Sequence, residues 1–167
     1  MRPGYDHHAA TGGRGVWVMT LSLQEISDRL ELQDLVVQYS TSVDRKDWDL
    51  YESLFTSDAV IDYTQVGGIR GGPREVREWL AQVMPGFPAY QHLVANVELS
   101  IDGDTATGRA MLFNPMGCQT PNGVQVALIG LWYNDKFSRT EAGWRFTERV
   151  EELSWQRDWP PGFLPEE

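Results

Sequence analysis

The spacing of apolar residues changes period midway along this chain, and that change constrains the fold more than any other feature. Up to about residue 84 the apolar positions recur at helical spacing. Ile26, Leu30, Leu32, Val36, Tyr39 and Val43 form one stripe over residues 22–45. Ser22 stands three residues before Glu25, the spacing of a capping box, which predicts a helix start there. Asp47 or Asp49 can cap a second short helix carrying Trp48, Tyr51, Leu54 and Phe55. Residues 58–64 read as a short strand. Gly67-Gly68 and Gly71-Gly72-Pro73 bracket a turn, and Pro73 opens a third helix that ends near Met84. From residue 91 onward the chain is strand-rich, and residues 91–101 alternate. Strands are expected over 91–101, 105–114, 124–138 and 144–155, with turns at Asp102-Gly103-Asp104 and Glu141-Ala142-Gly143 and a loop from Pro115 to Gly123. Helices followed by antiparallel strands indicate an α+β fold. The expected form is a cone-shaped α+β barrel, a curved and mostly antiparallel sheet wrapped around the long first helix, with an internal pocket.

Residues 19–158 are read as one domain, with neither a repeat nor an interdomain linker. Residues 1–18 are polar, glycine-rich and aperiodic, and are read as a disordered leader, with Met19 as the biological start. Its His7 and His8 make only a weak metal site. Residues 159–167 are read as an irregular tail. Trp155, Trp159 and Phe163 form either a lid or a subunit contact.

With 167 residues, 41% of them hydrophobic, the chain can bury a real core. Its net charge of −10 repels phosphate backbones and anionic membrane surfaces, so neither nucleic acid nor membrane is an expected partner. No apolar run reaches the roughly 20 residues that span a bilayer. The single cysteine, Cys118, excludes an internal disulfide, reads as a small loop residue and fits a reducing, cytoplasmic setting. No cluster has metal-ligand spacing, so neither metal nor cofactor is expected. The glycines of residues 67–72 lack the Gly-Lys-Ser/Thr ending of a phosphate loop. Strand 124–138 is apolar in both phases, which predicts a covered outer face and a homo-oligomer, dimer or trimer.

Beyond the leader the chain has one imidazole, His92. Histidine is the side chain best matched to proton transfer near neutral pH, and it needs an orienting partner. The best candidate is Asp44. It falls at the C-terminal end of the first helix, where the helix dipole disfavours a negative charge by about 0.3–1 kcal/mol. A buried imidazolium opposite would give that charge a reason to be there. Strand phase groups His92 with Val94, Asn96 and Glu98, opposite Leu93, Ala95, Val97 and Leu99. Tyr39 and Tyr63 are either core aromatics or contacts to a ligand. Tyr39 lies about 140° around an ideal helix from Asp44, so the two can border only a wide cavity. Trp48, Phe55, Asn114, Trp132 and Arg149 are weaker candidates for the pocket wall.

These residues carry a resemblance. Over residues 22–155 the chain resembles the SnoaL-like group of the nuclear transport factor 2-like superfamily. The resemblance rests on a long first helix ending in Val43-Asp44-Arg45-Lys46-Asp47-Trp48, a strand with Ile61-Asp62-Tyr63, a glycine-rich turn before a helix, and Gln91-His92. Enzymes of the group include scytalone dehydratase, a bile-acid dehydratase and a dehydrochlorinase of chlorinated cyclohexanes. The resemblance implies that His92 is the base and Asp44 its partner. It also implies that Tyr63 matches a tyrosine of both dehydratases and Tyr39 an oxyanion tyrosine. Scytalone dehydratase has a second histidine where this chain has the stretch around Asn114.

The expected function is therefore a cofactor-free dehydratase (a lyase) acting on a hydrophobic polyketide-, steroid- or terpenoid-like molecule. His92 would remove a proton next to a carbonyl, and its imidazolium would protonate the leaving hydroxyl. An isomerase or polyketide cyclase using the same pocket, and a non-catalytic small-molecule-binding domain, are the alternatives.

Overall fold

The computed structural model describes residues 20–162. The leader read over residues 1–18, with His7 and His8, and Phe163 of the tail lie outside the described residues. Helix α1 spans Leu23–Arg45, with the Ser22/Glu25 capping box fully formed. It ends on Lys46 in the left-handed conformation, which releases the chain into α2, Trp48–Ser53, capped by the Asp47 side chain. Strand β1 spans Phe55–Asp62, β2 Arg70–Gly71 and α3 Pro73–Val83. The strand-rich half comprises β3 Ala89–Tyr90, β4 Leu93–Asp102, β5 Thr105–Thr120, β6 Gly123–Thr140 and β7 Gly143–Arg157.

The buried face of α1 differs from the expected stripe. Leu32, Leu35, Val36, Tyr39 and Val43 are buried, whereas Ile26 and Leu30 are exposed. Asp28 takes an inward position in the first half of the helix. Burial raises the cost of its charge, but Trp144 Nε1–H, Arg139 and Gln24 donate to its carboxylate and together hold its pKa below the usual value.

The expected barrel does not form. The hydrogen-bonded order is β2-β1-β7-β6-β5-β3, with β4 also pairing β5, and the path is open. Nor is the sheet antiparallel throughout, because β1 runs parallel to β7. Closing a sheet needs edge strands long enough to pair along a staggered register. Here the β2 edge has only 2 residues, too few to pair with the opposite edge, which β3 and the 10-residue β4 form side by side on β5. Instead of the sheet wrapping α1, side chains of α1 meet backbone groups of β4 and of the residue just before it: Arg29 donates to the Leu99 carbonyl, and Asp44 accepts from the His92 N–H. A helix that engages edge backbone in this way protects the strand.

Two further expectations change. The stretch from Pro115 to Gly123 is not a loop but the second half of β5, paired with β6 out to Thr120 and Gly123, and Cys118 is a buried strand residue. Proline is tolerated there because Pro115 falls in the gap between the partners on its other side. β4 pairs up to Phe113 and β3 begins at Met116. The β4 phase also breaks. The register shifts between Ala95 and Glu98, and Asn96 adopts φ +50. This bulge turns Val97, Leu99 and Ile101 to the core side together with Val94. Asn96 and Glu98 are left in solvent.

Candidate active site

The end of α1 and the segment between β3 and β4 are fastened by a short set of polar contacts. His92 Nδ1 lies 2.6 Å from Asp44 Oδ1. An ionised carboxylate only accepts, so the ring donates from Nδ1 and leaves Nε2 as the basic nitrogen. Asp44 also takes the His92 backbone N–H, at 3.3 Å from each carboxylate oxygen. One side chain thus fixes both the ring and the backbone that carries it. Tyr90 donates to the Val43 carbonyl at 3.0 Å and meets the imidazole edge-on, with centroids 6.2 Å apart. The His92 side chain is 8% exposed and that of Asp44 28%. The other face of the pair is Asn114, whose amide sits 3.4 Å from Nε2. Its nitrogen is satisfied when it donates to the carbonyls of Gln91 and Pro115, at 3.1 and 3.2 Å, which turns its oxygen toward the ring. An oxygen there accepts from Nε2–H once the imidazole has gained a proton.

His92 and Asn114 open on a cavity of about 120 Å³. Its walls are apolar: Leu112, Met116, Ile129 and Leu131 from β5 and β6, and Trp79, Leu80 and Val83 from α3. Tyr39 and Tyr63 reach it from the opposite layer, and their hydroxyls are hydrogen-bonded to each other. Tyr51 Oη stands 3.4 Å from Tyr63 Oη. Two links among three hydroxyls use two protons and leave one donor for an outside acceptor. Burial raises the pKa of Tyr39, Tyr51 and Tyr63, so all three remain neutral donors. Tyr63 is set by Gly68, whose N–H donates to the Tyr63 carbonyl. A Cβ at Gly68 would come within 2.6 Å of Tyr63 Cβ.

The cavity floor follows from the β6–β7 register, in which Leu131 faces Leu153, Tyr133 faces Glu151 and Asp135 faces Arg149. Arg149 is fully buried and grips Asp135 with Nε and Nη2, both at 2.8 Å. Its guanidinium lies 3.9 Å from the Tyr39 ring centroid and 4.0 Å from that of Tyr133. Asp135 holds Arg149 charged despite burial. Glu151 lines the cavity directly. Burial pushes its carboxyl up to about 8, against the pull of Arg149 and with help from Asp135.

His92, Asp44, Tyr39, Tyr63 and Asn114 therefore come together, although Asp44 stands behind the ring rather than on the cavity wall. The other four candidates lie elsewhere. Arg149 sits beneath the floor in its ion pair. Phe55 is core, stacked on Tyr51 and Phe146 at 5.2 Å. Trp48 packs against the Tyr51 ring from α2. Trp132 is on the outer face of the sheet under Arg109, whose guanidinium is 3.9 Å from its centroid. Glu151 and Tyr90 were not singled out from sequence. The β7 alternation that would have turned Glu151 inward is broken at Thr147, where Lys136 pairs Glu148 and Phe137 pairs Phe146. Tyr90 belongs to a two-residue strand too short to show a phase. Among the described residues, no group of three or more His, Cys, Asp or Glu could hold a metal ion.

An α+β domain with an open mixed sheet, an apolar cavity and, at its wall, a nearly buried histidine backed by an aspartate is the class that fold and site define. The SnoaL-like domain profile matches residues 24–150, and the chain belongs to that family, within the nuclear transport factor 2-like fold group. It is 46% identical over 137 residues to the uncharacterized protein Rv2910c of Mycobacterium tuberculosis, covering 82% of this chain and 92% of the relative. Among solved structures, the Kfla4162 protein from Kribbella flavida superposes with a TM-score of 0.74 at 23% identity, over 80% of this chain and 95% of the other. A hexachlorocyclohexane dehydrochlorinase, LinA-type3 from Novosphingobium barchaimii, gives a TM-score of 0.72 at 19% identity, over 87% and 98%. At those identities the likeness is one of fold. No helix among the described residues is long and apolar enough to cross a membrane.

Proposed function

We propose that this protein is a cofactor-free lyase of the dehydratase type, acting on an apolar, oxygenated small molecule. The observation that carries this reading is the 2.6 Å Nδ1–Oδ1 contact of a nearly buried imidazole at the wall of an apolar cavity. His92 Nε2 takes a proton from the carbon next to a carbonyl. Asp44 holds the ring tautomer and balances the imidazolium. The spare O–H of the Tyr39, Tyr63 and Tyr51 hydroxyls donates a hydrogen bond to the developing enolate oxygen and keeps its proton. The electrons of the broken C–H bond form the alkene as the β-hydroxyl departs, and that hydroxyl takes a proton from an acid of the cavity, the imidazolium or a second group, to leave as water.

A cavity of about 120 Å³ is slightly smaller than the roughly 150 Å³ that admits benzene. The part of the substrate that reacts is therefore about one ring. A larger polyketide-, steroid- or terpenoid-like molecule extends past Phe87 and Trp159, which separate this cavity from an outer groove of about 370 Å³. Self-association through the outer face of the sheet belongs to the same reading.

The test is turnover of 3-hydroxycyclohexanone, followed by mass spectrometry. The expected product is lighter by one water, and His92→Gln loses about 10²–10⁴-fold in rate. Equal turnover by wild type and His92→Gln would refute the role of the imidazole. A product of unchanged mass would point instead to the isomerase alternative.

A further inference from the structure

Glu151 is the acid–base group that the reading above does not use. Its side chain enters the cavity from β7, on the same floor as Tyr133, its cross-strand neighbour. The residue is 8% exposed. Among the described residues no hydrogen bond or ion pair engages its carboxyl. Arg149, the adjacent cation, spends Nε and Nη2 on Asp135, and its Nη1 has no partner. The Asp135–Arg149 pair is already neutral, and aromatic rings surround it. An ionised Glu151 would add an uncompensated charge to this buried layer, and such a group neutralises rather than bear the desolvation cost.

We propose that Glu151 is the acid of this cavity. It stands as a neutral carboxylic acid and donates to the carbonyl or hydroxyl oxygen of an uncharged, one-ring ligand. This rests on the reading of the His92 cavity as the ligand site. In the elimination, Glu151 gives its proton to the departing oxygen while His92 receives the carbon-bound proton. Water leaves, and the imidazolium proton returns to the Glu151 carboxylate through solvent, restoring both groups. Burial, which pushes the Glu151 carboxyl up to about 8, keeps the donor in place at neutral pH.

The groups facing Glu151 are Tyr39 of α1, Tyr51 of α2, Tyr63 after β1, Tyr133 and Asp135 of β6, and Arg149 of β7. His92 shares its cavity. Burial raises the pKa of all four tyrosines, and the ion pair is fixed, so the passage from about pH 7 to about pH 9 titrates Glu151 among them. The experiment measures cyclohexanone binding by NMR across that range. The bound fraction needs the protonated acid, so the apparent Kd rises about tenfold between the two ends. Methylcyclohexane, which lacks the oxygen, shows no such rise. Glu151→Gln, whose amide still donates, binds the ketone with a flat profile, and His92→Gln keeps the wild-type profile. Absence of ketone binding, a flat wild-type profile, or a wild-type profile retained in Glu151→Gln would each overturn the proposal. Should Glu151→Gln not fold, the wild-type infrared spectrum decides. The carbonyl stretch of a protonated carboxylic acid, present at about pH 7 and lost by about pH 9, is expected; its absence at the lower pH is the overturning result. An intact ketone profile alongside unchanged turnover in His92→Gln would sink the lyase reading and leave Glu151 standing.

Discussion

His92 and Glu151 border one cavity but are governed by different surroundings. The imidazole is held by a carboxylate 2.6 Å from Nδ1 and has the Asn114 amide 3.4 Å from Nε2. The glutamic acid has no such partner, and burial dominates. That difference has a consequence for stability that needs no substrate. A glutamate in the unfolded chain titrates near its ordinary value of 4.5, whereas in the fold it is pushed up to about 8. Between those values the folded state retains a proton that the unfolded state releases. Stability from this group is therefore fully present below about 4.5 and is lost as pH rises through about 8, at no more than about 1.4 kcal/mol per pH unit. Urea midpoints measured across that interval should fall with pH in wild type and fall less in Glu151→Gln. Parallel profiles for the two proteins would show that Glu151 ionises normally. The neighbouring Asp135–Arg149 pair is a different case, because removing either member strands a buried charge, at a cost of about 3–5 kcal/mol.

At the scale of elements, what was legible in the sequence is what local chemistry alone decides. The capping box at Ser22 and Glu25, the Asp47 cap and the proline at the start of α3 each announce a helix within a few residues, and each formed. The pairing of His92 with Asp44 was also legible, through the resemblance and through the oddity of a carboxylate at a helix C-terminus. What escaped depends on neighbours distant in sequence. The bulge at Asn96 reverses the β4 phase because the β5 register demands it. A break at Thr147 hides Glu151 in the same way. Pro115 stops no strand because its missing N–H falls opposite a gap. The barrel does not follow from the sequence because helix and strand patterns do not reveal that the edge strand next to β1 is only 2 residues long. The two-phase apolar character of β6 remains a prediction at this scale. On the outer face of the sheet the rows Met111–Trp132 and Phe113–Gly130 adjoin, with Trp155 stacked on Phe113 at 6.0 Å. Val124 and Val126 are 54% and 55% exposed beyond them. A second copy of this chain seated on that face should sediment as a dimer or trimer at micromolar concentration. Monomer alone would remove the idea.

Taken whole, the molecule holds its candidate site between two layers that the sequence supplies in succession. The helical half contributes Asp44, Tyr39 and, after β1, Tyr63. The strand half contributes His92, Asn114 and Glu151. Neither half makes a site, since the imidazole hangs from one and its carboxylate from the other. The most direct measurement of the central claim, that His92 removes a proton next to a carbonyl, is deuterium exchange. Cyclohexanone incubated with the protein in D₂O is followed by NMR for loss of its α-protons. The account predicts exchange well above the buffer rate and at least about 10²-fold slower with His92→Gln. Exchange at the buffer rate in wild type, or an equal rate in the variant, would contradict it.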